Sequence, residues 1–250
     1  MIEEKKVITV IPARLGSYRF PTKPIELIDG IPMLERVYKG AIDSKYSDMV
    51  VVATPDEEIM EFCRGRNLNV YKSQKECKRG TERVYETYKN LMPDADIIVN
   101  LQGDEPLIDA PTLDLCILEL FKDTSAASLN MYKKATYEEA ESDQNEVKVV
   151  TDFDGYALYF SRNPLPAKWL GDKNFDCKLE ICVMPFWAWS IEKFMVSREG
   201  ILEDIESVDM LRLLENGMKV KMIEAPIEMQ SVDVPEDIKK VERIILNKKS

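Results

Sequence analysis

The 250-residue chain contains no histidine. That absence removes Ser-His-Asp hydrolysis, imidazole acid–base chemistry and most zinc sites. Any chemistry must come from carboxylates, cations, backbone amides and a metal held by oxygen. The five cysteines, Cys63, Cys77, Cys116, Cys177 and Cys182, include no CxxC pair. An odd number without that spacing argues for reduced thiols in a cytoplasmic protein rather than a disulfide framework. There is no apolar run of membrane-spanning length and no signal-peptide-like start, so the expectation is a soluble protein without a membrane partner. Positive charge is also short: 34 Lys and Arg against 45 Asp and Glu give a net charge of −11. Nucleic acid, which needs clustered cations, is not an expected partner. A phosphate-bearing ligand would have to be met by a local cluster.

What is present alternates. Apolar strand-like runs at 7–11, 49–53, 68–70 and 97–101 are separated by helical patterns at 33–43, 57–64, 80–91 and 112–120. Strand–helix alternation of this kind predicts a doubly wound α/β sheet, and ligands in such sheets sit at the carboxyl ends of the strands. The second half is less regular. It reads as strands at 146–151 and 157–161 around an Asp154-Gly155 turn, a strand at 182–189, a helix at 207–216 closed by Gly217, a strand at 219–223 and a helix at 235–246 opened by Pro235. No linker or repeat divides the chain. Residues 1–250 are expected to form a single domain with a smaller β-rich lobe.

Five stretches could carry chemistry. In VIPARLGSYRFPTKP, Arg14, Arg19 and Lys23 follow the first strand within ten or so residues; they could cradle a polyphosphate, or be a solvated basic loop. No Walker A pattern is present. In VNLQGDEPLI, Asp104 and Glu105 project from a strand end, where a carboxylate can hold Mg2+ against substrate phosphates. In SVDVPEDI, Asp233 could be a second metal carboxylate, although a helix start with Glu236 and Asp237 explains most of that stretch. Arg162, after the aromatic strand ALYFS, could grip a substrate carboxylate, and KRGTERV opens a helix where a base or phosphate could sit, with Arg83 facing outward.

Taken in order, VIPARLGSYRFPTKP, ATPDEE, KRGTERV, VNLQGDEPLI, NEVKVVTDFDGYALYFSRNPLP and VDVPEDI resemble the CMP-sugar-acid synthetases. The resemblance is closest to the 3-deoxy-manno-octulosonate (Kdo) cytidylyltransferases and runs over nearly the whole chain. It implies a three-layer, Rossmann-like nucleotidyltransferase fold with a mostly parallel sheet, and CMP transfer from CTP to an acidic sugar with release of pyrophosphate. By motif match, Pro12, Ala13, Arg14, Ser17, Arg19, Lys23, Thr81, Arg83 and Gln102 fall on nucleotide-binding positions. Asp104 and Asp233 fall on the Mg2+ ligands, and Arg162 and Asp209 on the acceptor side. Arg14, Lys23, Asp104 and Asp233 would carry the catalysis. A cytoplasmic homodimer, with the β-rich lobe at the contact, and a place in lipopolysaccharide biosynthesis are further implications.

Two departures fall on the acceptor side. Aligning Trp187-Ala188-Trp189 with the aromatic end of the family's His-containing strand puts Val183 near the His and Pro185 at the Gly. Asp209-Met210 also stands where the family has Glu-Gln. Val183 and Met210 cannot make the hydrogen bonds of His and Gln. This predicts that Kdo is a poorer acceptor than another acidic compound: an amino-substituted ulosonic acid, a nonulosonic acid, a phosphonate or a phosphate. A non-catalytic nucleotide-binding homologue is the rival reading.

Overall fold

A computed structural model of the chain describes every residue except 1, 3, 17–19, 75, 170–174 and 250. The elements, in order, are β1 (Val7–Pro12), β2 (Leu27–Ile28), β3 (Ile31–Pro32), α1 (Met33–Ile42), β4 (Met49–Thr54), α2 (Glu57–Gly65), β5 (Val70–Lys72), α3 (Gly80–Leu91), β6 (Ile97–Leu101) and α4 (Ala110–Lys122). The second half holds β7 (Ser128–Ala135), α5 (Tyr137–Ser142), β8 (Lys148–Thr151), β9 (Ala157–Ser161), β10 (Cys177–Ile181), β11 (Val183–Trp187), α6 (Ala188–Val196), α7 (Ile201–Glu206), α8 (Met210–Glu215), β12 (Val220–Glu224) and α9 (Pro235–Lys249).

Among the described residues, ten strands form one sheet in the order β5-β4-β1-β6-β11-β7-β10-β8-β9, with β12 on β7; β2 and β3 make a small separate hairpin. The strands β5, β4, β1 and β6 are parallel, as the helical crossovers between them require. Direction reverses at β11, which runs antiparallel to β6 with Val183 opposite Leu101. The β-rich lobe is therefore the antiparallel continuation of the same sheet.

Both faces of the sheet are covered. In β1, Val7 and Ile11 pack with α1, α2, α4 and α9, through residues such as Leu34, Ile59, Ile117 and Val241. The alternate residues Ile8 and Val10 pack with α3, α6 and α8 through Val84, Phe194 and Leu211. That is why the parallel strands read as unbroken apolar runs. Gly155 and Gly217 adopt left-handed φ of 81° and 70° at the turn and helix end expected of them. All five cysteines are free thiols. No helix among the described residues is long and apolar enough to cross a membrane.

The sequence reading misses β2, β3, β7, α5, β10, α6 and α7, and its late strand at 182–189 covers β11 and runs on into the start of α6. The chain breaks at Cys182, whose carbonyl accepts from the Gln102 N–H at 3.1 Å. Val183 therefore turns into the core shared with α1 and α4, while Cys182 and Met184 face the cleft. The alignment that placed Val183 at an acceptor-contacting position is corrected by this register.

Candidate active site

The cleft lies where strand direction changes, at the carboxyl ends of β1 and β6. It has two compartments. The first is lined by Pro12, Ala13 and Arg14 from the end of β1, Lys23 and Met33, residues 77–80 and Arg83 at the start of α3, and Gln102–Asp104 after β6. The second adds Glu105, Asn145, Glu146, Arg162, Glu180, Cys182, Met184, Asp209, Met210, Ser231 and Asp233. Arg14, Arg79, Gln102 and Asp104 line both. Ser17 and Arg19 lie outside the described residues.

Backbone geometry sets the carboxylates. A Cβ on Gly103 would sit 3.1 Å from the Pro12 carbonyl, so glycine lets the β6 loop close on the end of β1. The Val232 N–H donates to the Asp104 carbonyl at 3.0 Å. Asp237, in the first turn of α9, accepts from the N–H groups of Asp233 and Val234 at 3.0 and 3.1 Å. Two distant segments are thus latched together, and Asp104 and Asp233 open onto one compartment. The Lys23 ammonium lies 2.7 Å from Asp104 Oδ2 and 2.8 Å from the Val232 carbonyl. It bridges the two acidic segments directly.

Among the described residues, no group of three or more His, Cys, Asp or Glu could hold a metal. Two hard carboxylates facing a phosphate-sized cleft do suit Mg2+, which keeps several waters and completes its shell with substrate phosphates. The neighbouring Glu105 is fully buried. Its Oε1 accepts from Ser231 Oγ at 2.6 Å and the Cys182 N–H at 3.0 Å, and its Oε2 is buried without a partner. Burial, with the nearby Asp104 charge, pushes this carboxyl up to about 8.

Three candidate residues sit differently from expectation. Arg83 is buried, not outward-facing; it lines the first compartment, and its Nη1 is buried with no hydrogen-bond partner. Thr81 is fully buried, and its hydroxyl donates to Asp209 Oδ2 at 2.6 Å while accepting from Asn100 Nδ2 at 3.0 Å. With Gln102 donating to Asn100 Oδ1 at 3.3 Å, this forms a polar spine from Asp209 to Gln102. Thr81 positions both ends rather than facing the cleft.

Arg162 is the third. Its guanidinium donates to the carbonyls of Glu206 at 2.7 Å, Asn145 at 2.9 Å, and Gln144 and Ser207 at 3.3 Å each. A guanidinium has five N–H donors, so at most one remains. Arg162 clasps two loops and cannot offer the two-pronged grip on a carboxylate that its motif suggests. The residues that the sequence reading did not assign to the site are Glu180, Asn145 and Glu146, all in the second compartment. Asn145 and Glu146 open the NEVKVV motif without being singled out in it, whereas Glu180 lies on β10, a strand that the sequence pattern does not resolve.

Comparison with known proteins matches this geometry. A cytidylyltransferase family model matches residues 8–221. The chain is 36% identical over 241 residues to the 3-deoxy-manno-octulosonate cytidylyltransferase of Desulfatibacillum aliphaticivorans, covering 96% of this chain and 98% of that one. It is 35% identical over 242 residues to the mitochondrial enzyme of that name from Arabidopsis thaliana, covering 96% and 83%. A solved structure of CMP:2-keto-3-deoxy-manno-octonic acid synthetase complexed with CTP superposes with a TM-score of 0.87 at 28% identity, covering 98% of this chain and 100% of that one. With the match spanning both compartments of the cleft, the chain belongs to the cytidylyltransferase family, among the 3-deoxy-manno-octulosonate cytidylyltransferases.

Proposed function

We propose that this enzyme transfers CMP from CTP to Kdo, in the cytoplasm and toward lipopolysaccharide. The observation that carries this reading is the placement of Asp104 at the junction of the two compartments, with Asp233 in the second. The first compartment takes CTP. Arg83, with an unpartnered buried N–H, suits a carbonyl oxygen of the base; Arg14 and Lys23 line the compartment where the triphosphate would lie, and Arg19 joins them by motif match alone. The second takes the acceptor. Its anomeric hydroxyl oxygen bonds to the α-phosphorus, the bond to the bridging oxygen of the β-phosphate breaks, pyrophosphate leaves, and the hydroxyl proton passes to a carboxylate or water. Mg2+ held by Asp104 and Asp233 would polarise the α-phosphate and lower the acceptor's pKa. The cations that surround the leaving group stabilise its growing charge.

A homodimer is part of the proposal. Phe153 at the β8–β9 turn and Leu158 on the edge strand β9 expose large apolar side chains on the antiparallel end of the sheet, and Trp169 in the loop after β9 is exposed as well. Pyrophosphate release, measured with each of the four nucleoside triphosphates, Mg2+ and Kdo, tests the function. CTP should support turnover well above UTP, ATP or GTP. Equal rates, or a preference for ATP, would overturn the assignment.

A further inference from the structure

The second compartment holds one carboxyl that the proposed chemistry leaves unused. Glu180 lies on β10, opposite Tyr132 of β7, and lines the compartment with Asp209 and Met184. Its side chain is fixed from behind. The buried Asn130 donates to Glu180 Oε1 at 2.6 Å, and Asn130 Oδ1 is itself anchored by the Met131 N–H at 2.8 Å. Asn130 is the only hydrogen-bond donor to the Glu180 carboxyl among the described residues. Oε2 therefore accepts no hydrogen bond from the described residues. Among the described residues no lysine or arginine forms an ion pair with it, although the Arg162 charge acts on it from further off, in contrast to Glu146, which Lys133 holds at 2.7 Å. A carboxyl that is positioned but unsatisfied, on the wall of a cleft, is arranged for a ligand.

We propose that Glu180 is a specificity-determining residue that binds a hydrogen-bond donor of the acceptor, a hydroxyl or an amine remote from the reacting oxygen. This rests on the cytidylyltransferase reading above and deepens it. The placement of the neighbours supports the role. Arg162 is spent on backbone carbonyls, and Met184 and Met210 contribute no strong donor or acceptor. Glu180 then offers a carboxyl oxygen of this wall to the acceptor's substituents. Burial, with the charge of Asp209 adding, pushes the Glu180 carboxyl up to about 8. In the empty site it can donate to a hydroxyl oxygen, or surrender its proton when a cation arrives.

The test is steady-state kinetics of wild type, Glu180→Gln and Glu180→Asp with CTP, using Kdo and an analogue in which one remote hydroxyl is replaced by an amine. Glutamine keeps the shape, and aspartate keeps the acid but withdraws it. Either should raise the acceptor KM about tenfold or more, as expected when a buried polar partner is lost, with the CTP KM and thermal midpoint nearly unchanged. Equal losses on both acceptors identify the partner as a hydroxyl, and a loss confined to the amine analogue identifies an ammonium. Acceptor KM values that stay within about twofold of wild type in both variants, a margin below one hydrogen bond's worth, would overturn the proposal while leaving the CMP transfer standing. Absence of wild-type turnover with either acceptor would instead overturn the reading on which it rests.

Discussion

Replacing Arg212 by Met tests how the wall of the cleft is held. Arg212 makes a two-pronged pair with Glu203, Nε to Oε2 at 2.6 Å and Nη2 to Oε1 at 2.7 Å. Both side chains are nearly inaccessible, 4% and 1% exposed. The guanidinium also stacks 4.1 Å above the Phe194 ring. Methionine keeps the stem and removes the charge, so Glu203 is left buried with Arg79 at 3.6 Å as its nearest cation. Breaking a buried pair this way costs about 3–5 kcal/mol. At about 2–4 °C per kcal/mol for a domain of this size, the thermal midpoint should fall by about 6–20 °C. Urea unfolding should show the same loss. Arg79 also donates to Ser207 Oγ at 2.8 Å and to the Glu203 carbonyl at 3.1 Å, so the CTP KM should rise as residues 203–209 loosen. The double variant Glu203→Leu/Arg212→Met removes the orphaned charge and should recover most of the stability. A single variant that loses less than about 1 kcal/mol, within the range of an exposed pair, would refute the reasoning. So would a double variant as unstable as the single.

Three further outcomes are expected. Asp104→Asn should lower kcat by orders of magnitude at saturating Mg2+ with little change in thermal midpoint, checked by pyrophosphate release and calorimetry; near-wild-type turnover would make Asp104 a mere turn residue. Gly40→Ala should destabilise by about 1–3 kcal/mol, because its Cβ would lie 2.1 Å from the Ile108 backbone oxygen. A chemical unfolding midpoint equal to wild type would mean that α1 can shift without cost. Glu105 and Glu180 are both raised from 4.5 to about 8, so the folded state holds extra protons between those values. Their contribution to stability is complete below about pH 4.5 and is lost as pH rises through 8. Unfolding free energy measured from pH 6 to 9 should fall more steeply in wild type than in Glu180→Gln, and parallel slopes would mean that the cleft wall does not desolvate Glu180.

The parallel half of the fold was legible in the sequence because β1, β4 and β6 are buried on both faces and read as unbroken apolar runs. The antiparallel half was not. In β7, SLNMYKKA, the buried Ser128 and Asn130 interrupt the apolar pattern while satisfying hydrogen bonds inside the sheet. Helix α7 exposes Ile201 and Ile205, so no polar face marks it. Helix α6 follows directly on Phe186 and Trp187, and the aromatic run disguises its start. The same division governs the site. Lys23, Asp104 and Asp233 sit in short motifs whose chemistry is local. Glu180 owes its place to a strand register, and Arg162 to carbonyls from two loops; neither can be read from neighbouring letters.

The reversal of strand direction at β6 and β11 also bears on how the molecule comes to be folded. Leu101 must find Val183, and Ser128 must find Val220, across long stretches of intervening chain. Closing such loops, like the one that brings Val7 of β1 to Ile97 of β6, is slow relative to pairing β4 with β5, which follow one another through the single helix α2. Both compartments of the cleft are thus assembled from the contacts that form late. Refolding followed by tryptophan fluorescence should report the burial of Trp187 in a slower phase than the recovery of helical signal, and catalytic competence should return with that slower phase.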